Sequence, residues 1–277
     1  MSRNPYHSAA EPSLKRSVFV FMDLLGYSDL MIQSEKNGTQ QATLLSLHRT
    51  LSKGRKWLND DTPEELQFLV KTDRYALKAF TDNIVIGWPV RDDAESELGD
   101  AFFKIGAFQF QMALEGYFVR GAISVGEAYV DEIAVFGGAL MDAYRGESTQ
   151  ARDPRIILTK SAVEVTKGHL KYYGDPKSAP HVREVVCDVD GQWFLKYLEC
   201  VLWAEDEQGP FFDDLLRHKA EVEKKLLEHK ANPPIWSKYA WVAAYHNYFC
   251  DLHSHHFGDE HKVEADLFRE SPRLIVD

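Results

Sequence analysis

The stretch that most constrains this chain is Val18, Phe19, Val20, Phe21 and Met22, an unbroken apolar run closed by Asp23. A short run without polar alternation reads as a strand buried on both faces, and the rest of the chain is arranged around it. Asp23 stands where that strand gives way to a turn. Gly26 frees the backbone there, and Ser28 is the expected N-cap of a helix over 28–34. A second stretch, 78–88, reads as two short strands folded about Thr81, Asp82 and Asn83, placing another carboxylate at a turn. Two such carboxylates can share metal ions; the plainer alternative is an Asp capping a strand end and an unrelated Asp in a hairpin.

Composition narrows the function classes. An apolar share of 44% is enough for a sizeable core. A net charge of −11 argues against nonspecific binding to nucleic acid or to an anionic membrane surface. Cys187, Cys200 and Cys250 have neither an even count nor zinc-type spacing, which suits a reduced, cytoplasmic compartment. Asp23 interrupts the longest apolar run before it reaches transmembrane length, and 1–16 lacks a signal-peptide core.

Taken in order, residues 1–16 read as a mobile lead-in. The helix from Ser28 breaks near Asn37-Gly38 and resumes through Leu44, Leu47, Leu51 and Leu58. A loop is expected over 59–63, and 66–75 approaches the hairpin. Residues 93–114 form a helix ended by Gly116. A strand over 118–125 turns at Gly126 and returns over 129–135, followed by a helix over 138–148. A closing strand at 155–158 leads to a short helix capped by Ser161. This order predicts an α+β, ferredoxin-like domain over 17–175, a mainly antiparallel sheet with helices on one face. Beyond it, 176–277 is expected to be a hairpin and helical extension, packed on the first domain or at a dimer interface. Its hairpin turns at Asp190-Gly191, and its two helices cover 211–231 and 236–253.

Phe21-Met22-Asp23-Leu24-Leu25-Gly26-Tyr27-Ser28 resembles the metal-binding strand end of class III nucleotidyl cyclases. Lys78-Ala79-Phe80-Thr81-Asp82 is similar to their second metal-binding element, usually written Gly-Asp in that family. Val119-Arg120-Gly121-Ala122-Ile123-Ser124-Val125-Gly126-Glu127 looks like their strand ending in Gly-Glu, and 135–145 like the helix carrying transition-state groups. Across 17–165 the order most resembles the pyrimidine cyclases of bacterial anti-phage (Pycsar) defence. The resemblance implies a homodimer with composite active sites that converts UTP to 3′,5′-cyclic UMP, a messenger acting on a separate effector. CTP or a purine triphosphate is the alternative substrate, and a catalytically inactive nucleotide sensor the alternative class.

Under that resemblance Asp23, Asp82 and the Leu24 carbonyl hold two manganese or magnesium ions, as hard oxygen donors suit. Backbone amides of Leu25, Gly26, Tyr27 and Ser28 cradle phosphates. Arg145 reaches the α-phosphate, or else pairs with Asp142 on its own helix. Lys78 reads the base, or else is an edge-strand lysine. Met141 and Ala134 stand where purine cyclases carry asparagine and an acidic or polar base reader, which favours a pyrimidine. Arg152 and Arg155 serve either phosphate or structure. His246, His253, His255, His256 and Cys250 lack a standard zinc spacing and read as partly solvated helix-end residues. Trp241, Tyr245, Tyr248 and Phe249 read as a core stripe.

Overall fold

The computed structural model describes residues 4–8, 11–58, 74–203 and 209–268. In chain order the first part contains β1 (His7–Ser8), β2 (Glu11–Pro12), β3 (Lys15–Leu24), α1 (Tyr27–Lys36), α2 (Gln40–Leu58), β4 (Ala76–Phe80), β5 (Asn83–Pro89) and α3 (Glu95–Leu114). It continues with β6 (Val119–Val130), β7 (Val135–Phe136), α4 (Gly138–Thr149), β8 (Ile156–Leu158), α5 (Lys160–Leu170), β9 (Val185–Cys187) and β10 (Trp193–Leu195). The large sheet has the order β4-β5-β3-β6-β8-β10-β9, with β7 also on β6. Its pairs are antiparallel except β6 with β8. The expected α+β class with a mainly antiparallel sheet is what the chain forms.

Alternation along β3 decides which helix goes where. Val18, Val20, Met22 and Leu24 point into a cluster with Leu98, Phe102, Ile105 and Phe108 of α3, Leu58 of α2 and Ala162 of α5. Phe19 and Phe21 point the other way, into a cluster with Ala139 and Ala143 of α4. The expectation of helices on one face is corrected here: β3 is apolar on both faces, so both need cover, and α4 supplies it on the second. Small residues let α4 lie close. A Cβ on Gly146 would stand 2.8 Å from Ala122 Cβ and 2.9 Å from Thr159 Cγ2.

Other expectations shift for identifiable reasons. The lead-in is docked, not mobile, at its described residues: Tyr6 is fully buried beside Phe19, and its hydroxyl donates to Ser17 Oγ at 2.8 Å. β6 runs straight through Gly126 to Val130, and the turn comes later, where Asp131 Oδ1 accepts the amides of Ile133 and Ala134. Ser28 is not the cap of α1; Gly26 is, at φ +76°, a left-handed position that suits glycine. Ser161 does not cap α5 either, because its hydroxyl is spent on Asp142 Oδ2 at 2.7 Å. The loop expected over 59–63 and the approach at 66–73 lie outside the described residues.

The chain divides into two units, 1–112 with 117–197, and 113–116 with 198–277. The expected boundary near 175 therefore moves to 197. The 185–195 hairpin belongs to the first unit because Phe194 of β10 pairs with Ile157 of β8. The hairpin is pinned by Arg155, fully buried and ion-paired to Asp188 and Asp190 at its turn. In the second unit, α6 (Phe212–Glu228) and α7 (Pro233–Leu252) carry the buried Leu215, Val222, Leu226, Val242, Tyr245 and Phe249. Tyr248 of the aromatic stripe faces outward instead. Among the described residues no helix is long and apolar enough to cross a membrane.

Candidate functional site

Strand pairing brings the two sequence-distant carboxylates to one end of the sheet. Asp23 is the penultimate residue of β3 and sits opposite Asn83 on one side and Arg120 on the other. Asp82 occupies the two-residue turn between β4 and β5, and its carbonyl accepts the Leu24 amide at 2.8 Å. The strand end and the hairpin turn are thus bonded to each other.

Residues directly opposed in an antiparallel pair share a face. Phe80, Asn83, Asp23 and Arg120 therefore form one cross-strand row, and Lys78, Val85, Phe21 and Ala122 form the next. Both rows lie on the face covered by α4. The ring of Tyr144 on α4 meets Phe21 edge-on, with centroids 5.4 Å apart.

Each carboxylate has its own neighbours. Arg120 Nε donates to Asp23 Oδ2 at 3.1 Å and stands 2.8 Å from Glu147 Oε1 of α4. Asp82 Oδ1 accepts from Asn83 Nδ2 at 2.8 Å and lies 2.9 Å from Thr81 Oγ1. Thr81, where the cyclases usually have glycine, has φ +53°, a left-handed backbone that a β-branched residue rarely adopts.

The other expected site residues are distributed as follows. The Leu25 amide is already donated to the Phe118 carbonyl at 2.9 Å, which takes it out of a phosphate cradle. Gly26, Tyr27 and Ser28 form the start of α1, with Asp29 in its first turn and Tyr27 packed against the core. Lys78 is half-buried on the edge strand β4. Arg145 is exposed on α4. The alternative pairing of Arg145 with Asp142 is corrected: Asp142 Oδ2 accepts from Thr159 Oγ1 at 2.9 Å and from Ser161 Oγ, tying α4 to the start of α5. Arg155 serves structure, as described above, and Arg152 is exposed.

The histidine expectation also changes. His246 is fully buried in the middle of α7, with its ring stacked on that of His218 and their Nδ1 atoms 2.9 Å apart. Burial pushes the His246 imidazole down to about 4 and the Cys250 thiol up to about 12, so a metal-binding thiolate there is disfavoured.

The donor chemistry at the sheet end fits magnesium or manganese. The Asp23 and Asp82 carboxylates and the Leu24 carbonyl are all hard oxygen donors at adjoining turns. Such ions use one or two carboxylates and complete their shell with water and phosphate. Among the described residues no three His, Cys, Asp or Glu side chains gather into a metal-holding group. An all-protein cage is therefore not what these residues build.

Arg120 and Glu147 were given no role by the sequence reading. One signal was present: Arg120 is a charge inside a strand of otherwise small and apolar residues, Val119 to Val125. Its partner follows only once the β3–β6 register is known.

The arrangement defines an α+β protein with a carboxylate and guanidinium cluster at a strand end, beside a carboxylate-bearing hairpin turn. No family model matches the chain, and no curated protein matches it in sequence. Among solved structures it is similar to the guanylyl cyclase Cya2, with 13% identity and a TM-score of 0.40, over 55% of this chain and 79% of that one.

Proposed function

We propose that the chain is a divalent-cation-dependent nucleotidyl cyclase acting on a pyrimidine triphosphate, UTP before CTP. The observation that carries this reading is the direct bond between the turns bearing Asp23 and Asp82, the Leu24 amide on the Asp82 carbonyl at 2.8 Å. The motif stretches that resemble class III cyclases support it, since the elements that carry them, β3, the β4–β5 turn, β6 and α4, are neighbours in the sheet and on one of its faces.

In this reading Asp23, Asp82 and the Leu24 carbonyl hold two manganese or magnesium ions. These would lower the pKa of the ribose 3′-hydroxyl and neutralise charge on the attacking and leaving oxygens. The amides of Gly26, Tyr27 and Ser28 face the β- and γ-phosphates at a helix start, with Asp29 opposing them in the first turn. Lys78 lies one row from Asp23 on the same face, within reach of a base whose triphosphate is held at the turns. Exposed Arg145 serves the α-phosphate of a second copy's substrate, which requires a homodimer with two composite sites. The product would be a cytoplasmic messenger for a separate effector in anti-phage defence.

A second reading is a nucleotide-binding sensor without turnover. It is favoured by the pairing of Asp23 with Arg120 and by Met141 in place of the asparagine beside ribose. Incubating the protein with each of the four nucleoside triphosphates and Mn²⁺, then identifying the products, separates the readings. Cyclic UMP is expected, lost by at least about a hundredfold in Asp82→Ala. Nucleotide binding without any cyclic product selects the sensor.

A further inference from the structure

A second histidine pair lies in the first unit, at the end of the sheet away from Asp23 and Asp82. β5 starts opposite Asp23 and ends at Pro89 opposite Ser17, and the turn that follows leads into α3. That turn is strained. Asp92 at φ +47° and the fully buried Ala94 at φ +72° both take the left-handed backbone that residues with a Cβ disfavour. Three side chains at the end of α5 and just past it hold the turn. His169 Nε2 donates to the Asp93 carbonyl at 3.0 Å, the Tyr172 hydroxyl donates to Asp93 Oδ2 at 2.9 Å, and the Tyr173 hydroxyl donates to Glu95 Oε1.

The chain then folds back, and a single 3-10 turn, Pro180–Val182, lays His181 against His169 with ring centroids 5.2 Å apart and against the ring of Tyr173. Its close seat on α3 needs Gly99, where a Cβ would stand 3.3 Å from Pro180 Cβ. His181 is buried, and among the described residues neither of its ring nitrogens has a hydrogen-bond partner; nor has His169 Nδ1. A buried polar atom without a partner is destabilising, and three in one place require an explanation.

We infer that 171–184 is a pH-operated clasp on the strained turn before α3, closed while the His181 ring is neutral and opened when that ring takes up a proton. The groups around His181 set the direction. α5 contributes His169 and the Thr166 carbonyl, α3 contributes Glu95, and the connection between α5 and the 3-10 turn contributes Tyr173. β9 and the turn Pro176–Ser178 also pack on it, but their titratable residues, Cys187 and Lys177, are exposed, as is the adjoining Arg183. Burial and then His169 lower the His181 pKa, and Glu95 and the Thr166 carbonyl oppose this without reversing it. Below 6.5 the open clasp therefore binds a proton that the closed one refuses, so closure is fully favoured above 6.5 and weakens as pH falls. Because Tyr172 and Tyr173 belong to the same stretch, opening also frees Asp93 and Glu95 and lets the turn leave its left-handed backbone.

The test is hydrogen exchange of the full chain at pH 7.5, 6.5 and 5.5, with rates corrected for the intrinsic pH dependence of amide exchange. A ring that titrates near 6.5 only in the open form raises the open population about tenfold between pH 7.5 and 5.5. Protection over 178–184 is expected to fall by that factor. The amides of Ala94 and Glu95, bonded to the Arg91 carbonyl and to Asp93 Oδ1, are expected to fall with it. In His181→Phe, which fills similar space without a titratable nitrogen, the change is expected to stay below about twofold.

The inference is overturned if wild-type protection over 178–184 is the same at both ends of the range, or if H181F loses it as the wild type does. Loss confined to 178–184, with Ala94 and Glu95 unchanged, overturns it as well, since the stretch would then not hold the turn. Should H181F fail to fold, the Cε1–H resonance of His181 in the wild type takes its place. Its titration has to coincide with the loss of protection; a ring that titrates with protection intact, or stays neutral while protection falls, removes the inference.

Discussion

Lowering the pH from 7.5 to 4.5 should weaken the second unit, because its helices are held together around two imidazoles that have no room for a second proton. His218 of α6 and His246 of α7 are both fully buried, with ring planes within 3° of parallel and Nδ1 atoms 2.9 Å apart. Because His246 Nε2–H donates to the His261 carbonyl, the neutral His246 ring accepts at Nδ1 from His218 Nδ1–H, and a proton added at His246 Nδ1 would set two donors against each other. His246 Nε2 is further fixed 2.8 Å from the His261 carbonyl. The neighbouring charge is unfavourable too. Burial lowers the His246 pKa most; the His261 carbonyl, accepting from Nε2, opposes it, and Lys219 of α6 and, when protonated, His261 lower it further, while Lys262 and Asp251 flank the adjacent Cys250.

The folded His246 titrates near 4 instead of 6.5, a depressed value. Below pH 6.5 the unfolded chain therefore binds a proton that the folded chain refuses. The stability contributed is fully present above 6.5 and is lost as pH falls from there towards 4. At about 1.4 kcal/mol per pKa unit, His246 alone accounts for about 3 kcal/mol across that window. His218, lowered well below its usual range by burial and then by His246, acts with the same sign. The assay is urea unfolding at half-unit pH steps, comparing wild type with the His218→Phe/His246→Leu double variant. Carboxylates titrate in both proteins, so the difference between the two profiles isolates the imidazoles. A difference that is flat between pH 6.5 and 4.5 would refute the reasoning.

Arg155→Met should cost about 1–2 kcal/mol in urea unfolding, since it leaves the Asp188 and Asp190 carboxylates at the β9–β10 turn without their guanidinium, a loss reduced by the exposure of Asp190. Asp188→Asn/Asp190→Asn in the same background should recover part of that loss, whereas an unchanged midpoint in Arg155→Met would mean the hairpin is held by other means. Thr81→Gly removes left-handed strain of about 1–2 kcal/mol and adds unfolded-chain freedom worth up to about 1 kcal/mol, so a net gain below about 1 kcal/mol is expected in the melting profile. The same change deletes the hydroxyl 2.9 Å from Asp82 Oδ1, so any cyclase activity should fall while stability rises. A destabilised Thr81→Gly would show that the hydroxyl matters more than the backbone.

Much of the sheet was legible because its signals are local. The apolar run at 18–22, the hairpin about Thr81 and Asp82 and the turn at Asp190-Gly191 each depend on residues within a few positions of one another. Where the reading went astray, a residue of the right type was used for something distant. Ser161 would cap a helix well, but it binds Asp142, nineteen positions away, and Gly126 has a turn former's composition yet lies inside a continuous strand. Tyr6 looked like part of a tail because the residues around it have no apolar periodicity; its partners are Ser17 and the face of β3 that carries Phe19. The two histidines of the second unit are 28 positions apart on different helices, beyond any spacing rule.

The two arginines near the motifs show how far burial separates residues that composition treats alike. Both Arg120 and Arg155 pair with two acids. Arg155 is wholly buried, and its two acids come from one turn, so their separation is fixed by that turn's backbone and the guanidinium has nowhere else to go. An ion pair of that kind holds a hairpin in place, and losing it removes the partner that draws both carboxylates of the turn onto the sheet. Arg120 is more than a quarter exposed, and its acids come from a strand end and a separate helix. Its guanidinium can lean towards either without breaking an element, and the acid it would leave is the one nearer water. Arg155, by contrast, can be released only by lifting the hairpin from the sheet.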